Sequence, residues 1–297
     1  MAVSMESKLV ATIGEFELFQ VPEIVIATSV RWFLADIPEE VIVEARAALD
    51  PVFFDENGRL IQSVHTYVLK SADRVILIDT GVGNQKSRAG GIPAFDMLDT
   101  PFLSRLSDIG VSPEDVDVVL CTHMHVDHLG WDTYRDGDGW VATFPNARHV
   151  FVEAEYEAFM ASAERDAGAK LIREDTVDPI VSAGLVDLVA AGHVFDEAMR
   201  LEPSHGHSPA HVNIIGGSGE PTAVFIGDVM LNPIQVLVPG AVSPLNGPEE
   251  ATATRMEVIR RYADTDVMVF GAHFSAPCGG YIRSAASGYT FTPLGDG

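Results

Sequence analysis

Short apolar runs and amphipathic stretches alternate along this chain. Residues 75–78, 116–121, 147–152, 222–226 and 266–270 are brief and mostly apolar, the pattern of strands covered on both faces. Residues 65–70 and 75–78 flank Ser71-Ala72-Asp73-Arg74 and read as a hairpin. Alternation over 14–21 predicts an opening strand, and 212–215 another. Helical periodicity marks 38–49, entered through Pro38, then 101–109, 153–163 and 249–263. Residues 181–189 suit helix and strand equally, and 193–195 suggests a short strand at a sheet edge. Asp136-Gly137-Asp138-Gly139 resembles part of a calcium loop but lacks the later glutamate, so it reads as a turn. Outside the helix 38–49, residues 24–57 show little pattern. Two roles suit that excursion: packing against a partner subunit, as in a homodimer, or leaning over a functional site. A plain surface excursion is the alternative. With no repeat, low-complexity tract or linker, a single domain over 1–297 is expected, with the excursion at about residues 20–60.

Composition narrows the class. With 297 residues, 47% of them hydrophobic, a large core is available. The net charge of −24 argues against a nucleic-acid surface, which needs basic patches, and against adhesion to anionic membranes. The two cysteines, Cys121 and Cys278, make neither a disulfide framework nor a Cys-x-x-Cys metal site; Cys121 reads as a small buried residue and Cys278 as structural, with a pocket-lining role as the alternative. No signal-peptide core opens the chain, and no run approaches the roughly 20 apolar residues of a membrane span. A cytoplasmic protein acting on a small molecule is the expectation.

The strongest chemical signal follows the strand 116–121. There Thr122-His123-Met124-His125-Val126-Asp127-His128-Leu129-Gly130 places imidazoles and a carboxylate at a strand end. Zinc and neighbouring transition metals take both donor types. In an extended loop His123, His125 and Asp127 share one side and His128 is out of step, so a bend at Asp127 would let one loop serve two ions. Further candidates lie downstream: Pro203-Ser204-His205-Gly206-His207-Ser208-Pro209-Ala210-His211, then Gly227-Asp228, then Gly271-Ala272-His273-Phe274.

His-x-His-x-Asp-His after an apolar strand resembles the signature of the metallo-β-lactamase superfamily. The downstream segments follow that family's order, and the tail resembles its methyl parathion hydrolase and acyl-homoserine lactonase branch. The resemblance implies an α/β fold, a four-layer αββα sandwich. It implies two divalent ions, zinc first and manganese, iron or cobalt as substitutes. His123, His125 and His207 would hold one, Asp127, His128 and His273 the other, and Asp228 would bridge them. The carboxylates Asp127 and Asp228 are the catalytic candidates. A metal-bridged hydroxide would attack a lactone, a carboxylic ester or a phosphotriester. The alternatives are an amide hydrolase of the β-lactamase type and an inactive metal-binding protein of the same fold. Asp79, in Asp79-Thr80-Gly81, would steady a ligand or its loop, although a turn-capping aspartate fits the residues equally. Two departures stand out. His205 occupies a position where the family has proline, which favours His207 as the ligand. Leu231 stands where related lactonases often carry a tyrosine, which leaves Asn232, Phe53, Phe54 or Trp131 as candidate substrate contacts. His65, His149, His193 and His211 read as framework residues.

Overall fold

The computed structural model describes residues 5–34, 37–49, 51–196, 198–244 and 249–295. The chain divides into two compact units, one from Met5–Ile24 and Val64–Ala191, the other from Val25–Ser63 and Gly192–Gly297. The strands Phe16–Thr28 and Leu60–Lys70 supply residues to both. No helix among the described residues is long and apolar enough to cross a membrane.

The first unit is built on a seven-stranded mixed sheet. Its strands run in the order Lys8–Ile13, Phe16–Thr28, Leu60–Lys70, Val75–Ile78, Val118–Leu120, Arg148–Val152 and Val186–Val189. The last four are parallel. Leu77, Val119, Phe102 and Phe144 belong to one buried cluster, and Cys121, Met124, Leu129 and Phe151 to another. The opening strand is longer than the pattern suggested, and it pairs back on Lys8–Ile13 through a turn at Gly14, φ +59°. Residues 181–189 divide between the helix Asp178–Ser182 and the strand Val186–Val189, parted at Gly184, φ +71°. Asp136-Gly137-Asp138-Gly139 is the turn of a small hairpin.

A π-helical turn, Arg173–Val177, has no counterpart in the sequence pattern. Buried cations hold it. Lys86 Nζ donates to Thr133 Oγ1 at 2.6 Å, Thr176 Oγ1 at 2.9 Å and the Asp175 carbonyl at 3.0 Å. Arg88 forks onto both carboxylate oxygens of Asp175. Burial, helped by the charge of Arg88, pulls Lys86 down to about 8.

The second unit carries a six-stranded sheet in the order Met199–Pro203, Val212–Gly216, Ala223–Phe225, Met268–Phe270, Gly279–Ala285, Gly288–Pro293. Ala223–Phe225 and Met268–Phe270 are its parallel pair. The helix Glu39–Leu49 buries Ile42, Ala45 and Leu49 at helical spacing. Residues 193–195 contribute only a single bridge, Val194 to Arg200, where a short strand was expected. The patternless stretch around Phe53 is part of this unit's core: Phe53 packs edge-on against Phe274 at 6.2 Å and Phe291 at 6.0 Å. Phe54, Asn232 and, in the first unit, Trp131 are equally buried.

Candidate metal centre

In the first unit, strand register assembles the site. Val75–Ile78 and Val118–Leu120 run parallel with Ile78 opposite Leu120, so Asp79 leaves the C-terminal edge level with Cys121, one residue short of Thr122. Asp79 sits at φ +52°, a left-handed conformation that Asp tolerates better than most residues. Its carboxylate accepts from the Thr122 backbone N–H at 2.8 Å and from the Thr122 hydroxyl at 2.9 Å. It also lies 2.9 Å from His128 Nδ1.

These contacts dictate tautomers. A carboxylate only accepts, so His128 carries its proton on Nδ1 and presents a bare Nε2. Because Thr122 spends its own proton on Asp79, its hydroxyl accepts from His123 Nδ1, 3.1 Å away. His123 Nε2 is thus also bare, and it faces His125 Nδ1 at 3.0 Å. One buried aspartate thereby turns the metal-binding nitrogens of two histidines outward.

The loop is not extended. A hydrogen bond from His128 N–H to the His125 carbonyl, 3.1 Å, closes a turn over His125 to His128. That turn brings His128, out of step in an extended chain, to a ring-centroid distance of 4.0 Å from His123. His128 Nε2 lies 3.7 Å from Asp127 Oδ1. His123, His125, Asp127 and His128 are each placed to give a ligand atom to a metal ion.

Buried acids that the sequence reading missed support the loop. Glu155, in the first turn of the helix Glu153–Ala163, accepts from the Met124 N–H at 3.3 Å. Asp132 accepts from the Thr80 hydroxyl at 2.7 Å and faces His149 Nδ1 at 3.3 Å, which explains the histidine inside the strand Arg148–Val152. Glu23 accepts from the N–H groups of Val82 at 2.7 Å and Gly83 at 3.0 Å and from Trp131 Nε1 at 2.6 Å. Burial nevertheless outweighs these donors and lifts Glu23 to about 7. Its only signal in the sequence is a charge inside an apolar strand.

The second unit repeats the logic of register. Phe225 pairs with Phe270 in parallel, and three residues on from each stand Asp228 and His273. His273 Nε2 lies 3.1 Å from Asp228 Oδ1, and His207 Nε2 lies 3.2 Å from Asp228 Oδ2. His273 Nδ1–H donates to the Ser63 carbonyl at 3.1 Å. With its proton on Nδ1, His273 points a bare Nε2 at a carboxylate oxygen, acceptor against acceptor, a contact that a metal ion or a second proton between them makes favourable. An all-nitrogen-and-oxygen donor set, with tautomers already fixed, fits a divalent transition metal. His207, Asp228 and His273 are each placed to give it a ligand atom. His211 accepts from the Asp228 N–H at 3.1 Å through Nε2 and bonds Ser204 Oγ at 2.7 Å through Nδ1, so it aligns the aspartate from behind. His205 lines a cavity with Glu202, Asn213 and Tyr262. Leu231 is buried, its N–H given to Gln235 Oε1 at 2.7 Å.

AiiB, an N-acyl homoserine lactonase of Agrobacterium fabrum, is 29% identical over 108 residues, 33% of this chain and 39% of that protein. An N-acyl homoserine lactonase of Bacillus cereus is 24% identical over 163 residues, 51% of this chain and 57% of that protein. The alignments thus span less than two thirds of either relative. Among solved structures, the hydrolase AbOPH of the β-lactamase superfamily superposes with a TM-score of 0.80 over 100% of this chain and 99% of its own, at 22% identity. AidC, a dizinc quorum-quenching lactonase, reaches 0.76 over 98% of each chain at 19% identity. At such identities these likenesses establish the metallo-β-lactamase fold. The family model of the metallo-β-lactamase superfamily matches residues 61–273, a span containing all seven candidate ligands, and the chain belongs to that superfamily.

Proposed function

We propose that the chain is a metal-dependent hydrolase that holds two divalent ions and opens a lactone ring. The observation that carries this reading is Asp228, flanked on one oxygen by His207 Nε2 and on the other by His273 Nε2. A carboxylate so flanked suits two cations, one per oxygen, and offsets part of their mutual repulsion. In this reading His123, His125 and His207 hold one ion, Asp127, His128 and His273 the other, and Asp228 serves both. Zinc is the first choice for such donors. Bound ions would supply Lewis acidity, polarising the substrate oxygen and making water reactive near neutral pH.

The chain's own residues do the rest. Asp79 holds His128 and, through Thr122, His123 in the tautomers that leave Nε2 bare. Ser63 does the same for His273, and His211 fixes the backbone of Asp228. No serine or cysteine nucleophile is required: Cys121 is buried, its Sγ bonded to the His123 carbonyl at 2.8 Å, and its thiol is pushed well up by burial. Lactones are favoured as substrates because the matched relatives are N-acyl homoserine lactonases. With buried Leu231 in place of a tyrosine, the substrate carbonyl needs another partner.

The test is turnover of zinc- and cobalt-loaded protein on a panel of γ-lactones, aryl esters and aryl phosphotriesters. Lactone hydrolysis at the highest kcat/KM is expected. Phosphotriester turnover without lactone turnover would replace the substrate class, and no turnover of any member would leave a metal-binding protein.

A further inference from the structure

Arg255 is among the largest fully buried side chains of the described residues, and its guanidinium bonds main-chain carbonyls. Nε donates to the Val229 carbonyl at 3.3 Å, and Nη1 to those of Pro239 at 3.1 Å and Ala241 at 2.7 Å. Burial alone draws its pKa down to about 10. A desolvated cation held by carbonyls is costly, and an apolar side chain of similar volume would pack there at less cost. What the guanidinium adds is geometry: a rigid fork of donors that ties one loop to another.

The loop it ties begins at the candidate bridging ligand. Val229 directly follows Asp228. The preceding carbonyl, of Gly227, accepts from the Ala272 N–H at 3.2 Å, and the Asp228 N–H is taken by His211. Arg255 completes the set by holding the chain on the far side of the aspartate.

The neighbouring residue of the same helix, Glu250–Tyr262, reaches the other ligand loop. Thr254 Oγ1 donates to the His205 carbonyl at 2.6 Å, two residues before His207. Gly206, at φ +127°, lies against the first turn of this helix: a Cβ there would come within 2.4 Å of the Ala251 nitrogen. Consecutive side chains of one helix therefore hold the main chain beside His207 and beside Asp228.

We infer that Arg255 is a positioning residue for the metal centre, setting the carboxylate of Asp228 to face two histidines, with Thr254 acting in the same way on His207. The inference rests on the two-ion reading above, but not on the identity of the substrate. Metal binding therefore tests it without any assay of turnover. Ion affinity would be measured by chelator competition in wild type, Arg255→Met, Arg255→Lys and Thr254→Val, with the d–d absorption of the cobalt forms as a reporter of ligand geometry. Ile259→Val, a cavity in the same helix, controls for lost stability.

Arg255→Met is expected to weaken ion binding by roughly 10- to 100-fold and to alter the cobalt spectrum, as removal of a group that orients a ligand does. Arg255→Lys should restore part of both, since an ammonium reaches fewer carbonyls. Thr254→Val, which removes a single hydrogen bond, should weaken binding to a smaller degree and serves if the Arg255 variants do not fold. Ile259→Val should melt earlier with wild-type affinity and spectrum. Wild-type affinity and spectrum in Arg255→Met or in Thr254→Val would overturn the inference, as would equal metal loss in Ile259→Val. Wild-type protein that binds two ions but hydrolyses no lactone would defeat the substrate proposal and leave this one standing.

Discussion

His273 Nε2 stands 3.1 Å from Oδ1 of Asp228, and the Ser63 carbonyl holds the proton of His273 on the opposite ring nitrogen. Two acceptors facing each other at that distance are unfavourable unless a proton or a metal ion sits between them. Parallel pairing makes the arrangement, because Phe225 lies opposite Phe270 and each ligand follows three residues later. The first unit has the same device, with Ile78 opposite Leu120 and the polar residues emerging beyond.

Removing the shared carboxylate should be decisive. In Asp228→Ala, ion content is expected to fall below two equivalents, and turnover should drop by at least about a hundredfold while the far-ultraviolet dichroism is kept. Elemental analysis of protein prepared without chelator, beside steady-state rates, checks this. Full activity in the variant would reassign the bridge.

His205 and His207 should separate cleanly. His207→Ala is expected to lose metal and turnover together, because Nε2 faces Asp228 at 3.2 Å. His205→Ala should keep its metal and change KM at most, since His205 lines a cavity with Glu202, Asn213 and Tyr262. Metal loss confined to the His205 variant would shift the ligand assignment by two residues.

Asp79→Asn keeps a side chain suited to the positive φ but loses the capacity to accept from both Thr122 and His128. Metal affinity is expected to fall roughly 10- to 100-fold, with a smaller change in thermal stability. An unchanged chelator titration would reduce Asp79 to a turn residue.

Glu23 gives a pH signature. Its carboxyl is raised from 4.5 to about 7 by burial, so between those values the folded protein binds the proton that the unfolded chain has released. Its contribution is fully present below pH 4.5 and is lost as pH rises to about 7, a change of about 3 kcal/mol. Urea unfolding of metal-free wild type and Glu23→Gln should show the variant gaining relative stability from pH 5 to pH 8. Parallel stability curves would mean that the three donors of Val82, Gly83 and Trp131 keep Glu23 ionised throughout.

The linear chain made much of this protein legible. The helix over 153–163 and the strand over 75–78 appear where periodicity placed them, because local apolar spacing alone decides which face can be buried. The cluster His123, His125, Asp127 and His128 stands out because imidazoles and a carboxylate packed after an apolar run have few structural uses, whereas His207, Asp228 and His273 were identified through the family resemblance. Other features depended on contacts distant in sequence. His128 looked out of step until a turn closed by the His125 carbonyl brought it beside His123. Phe53 looked like a loop residue until Phe274 and Phe291, more than two hundred positions away, closed around it. Lys86 and Arg255 carried no local pattern, and Glu23 only a charge inside an apolar strand, because a buried charge is defined by the partners that surround it. Spacing along a chain reports which residues can share a face. Which tautomer a histidine adopts, and which carbonyl an arginine holds, is decided only when separate segments are packed into one low-dielectric interior, where every donor must find an acceptor.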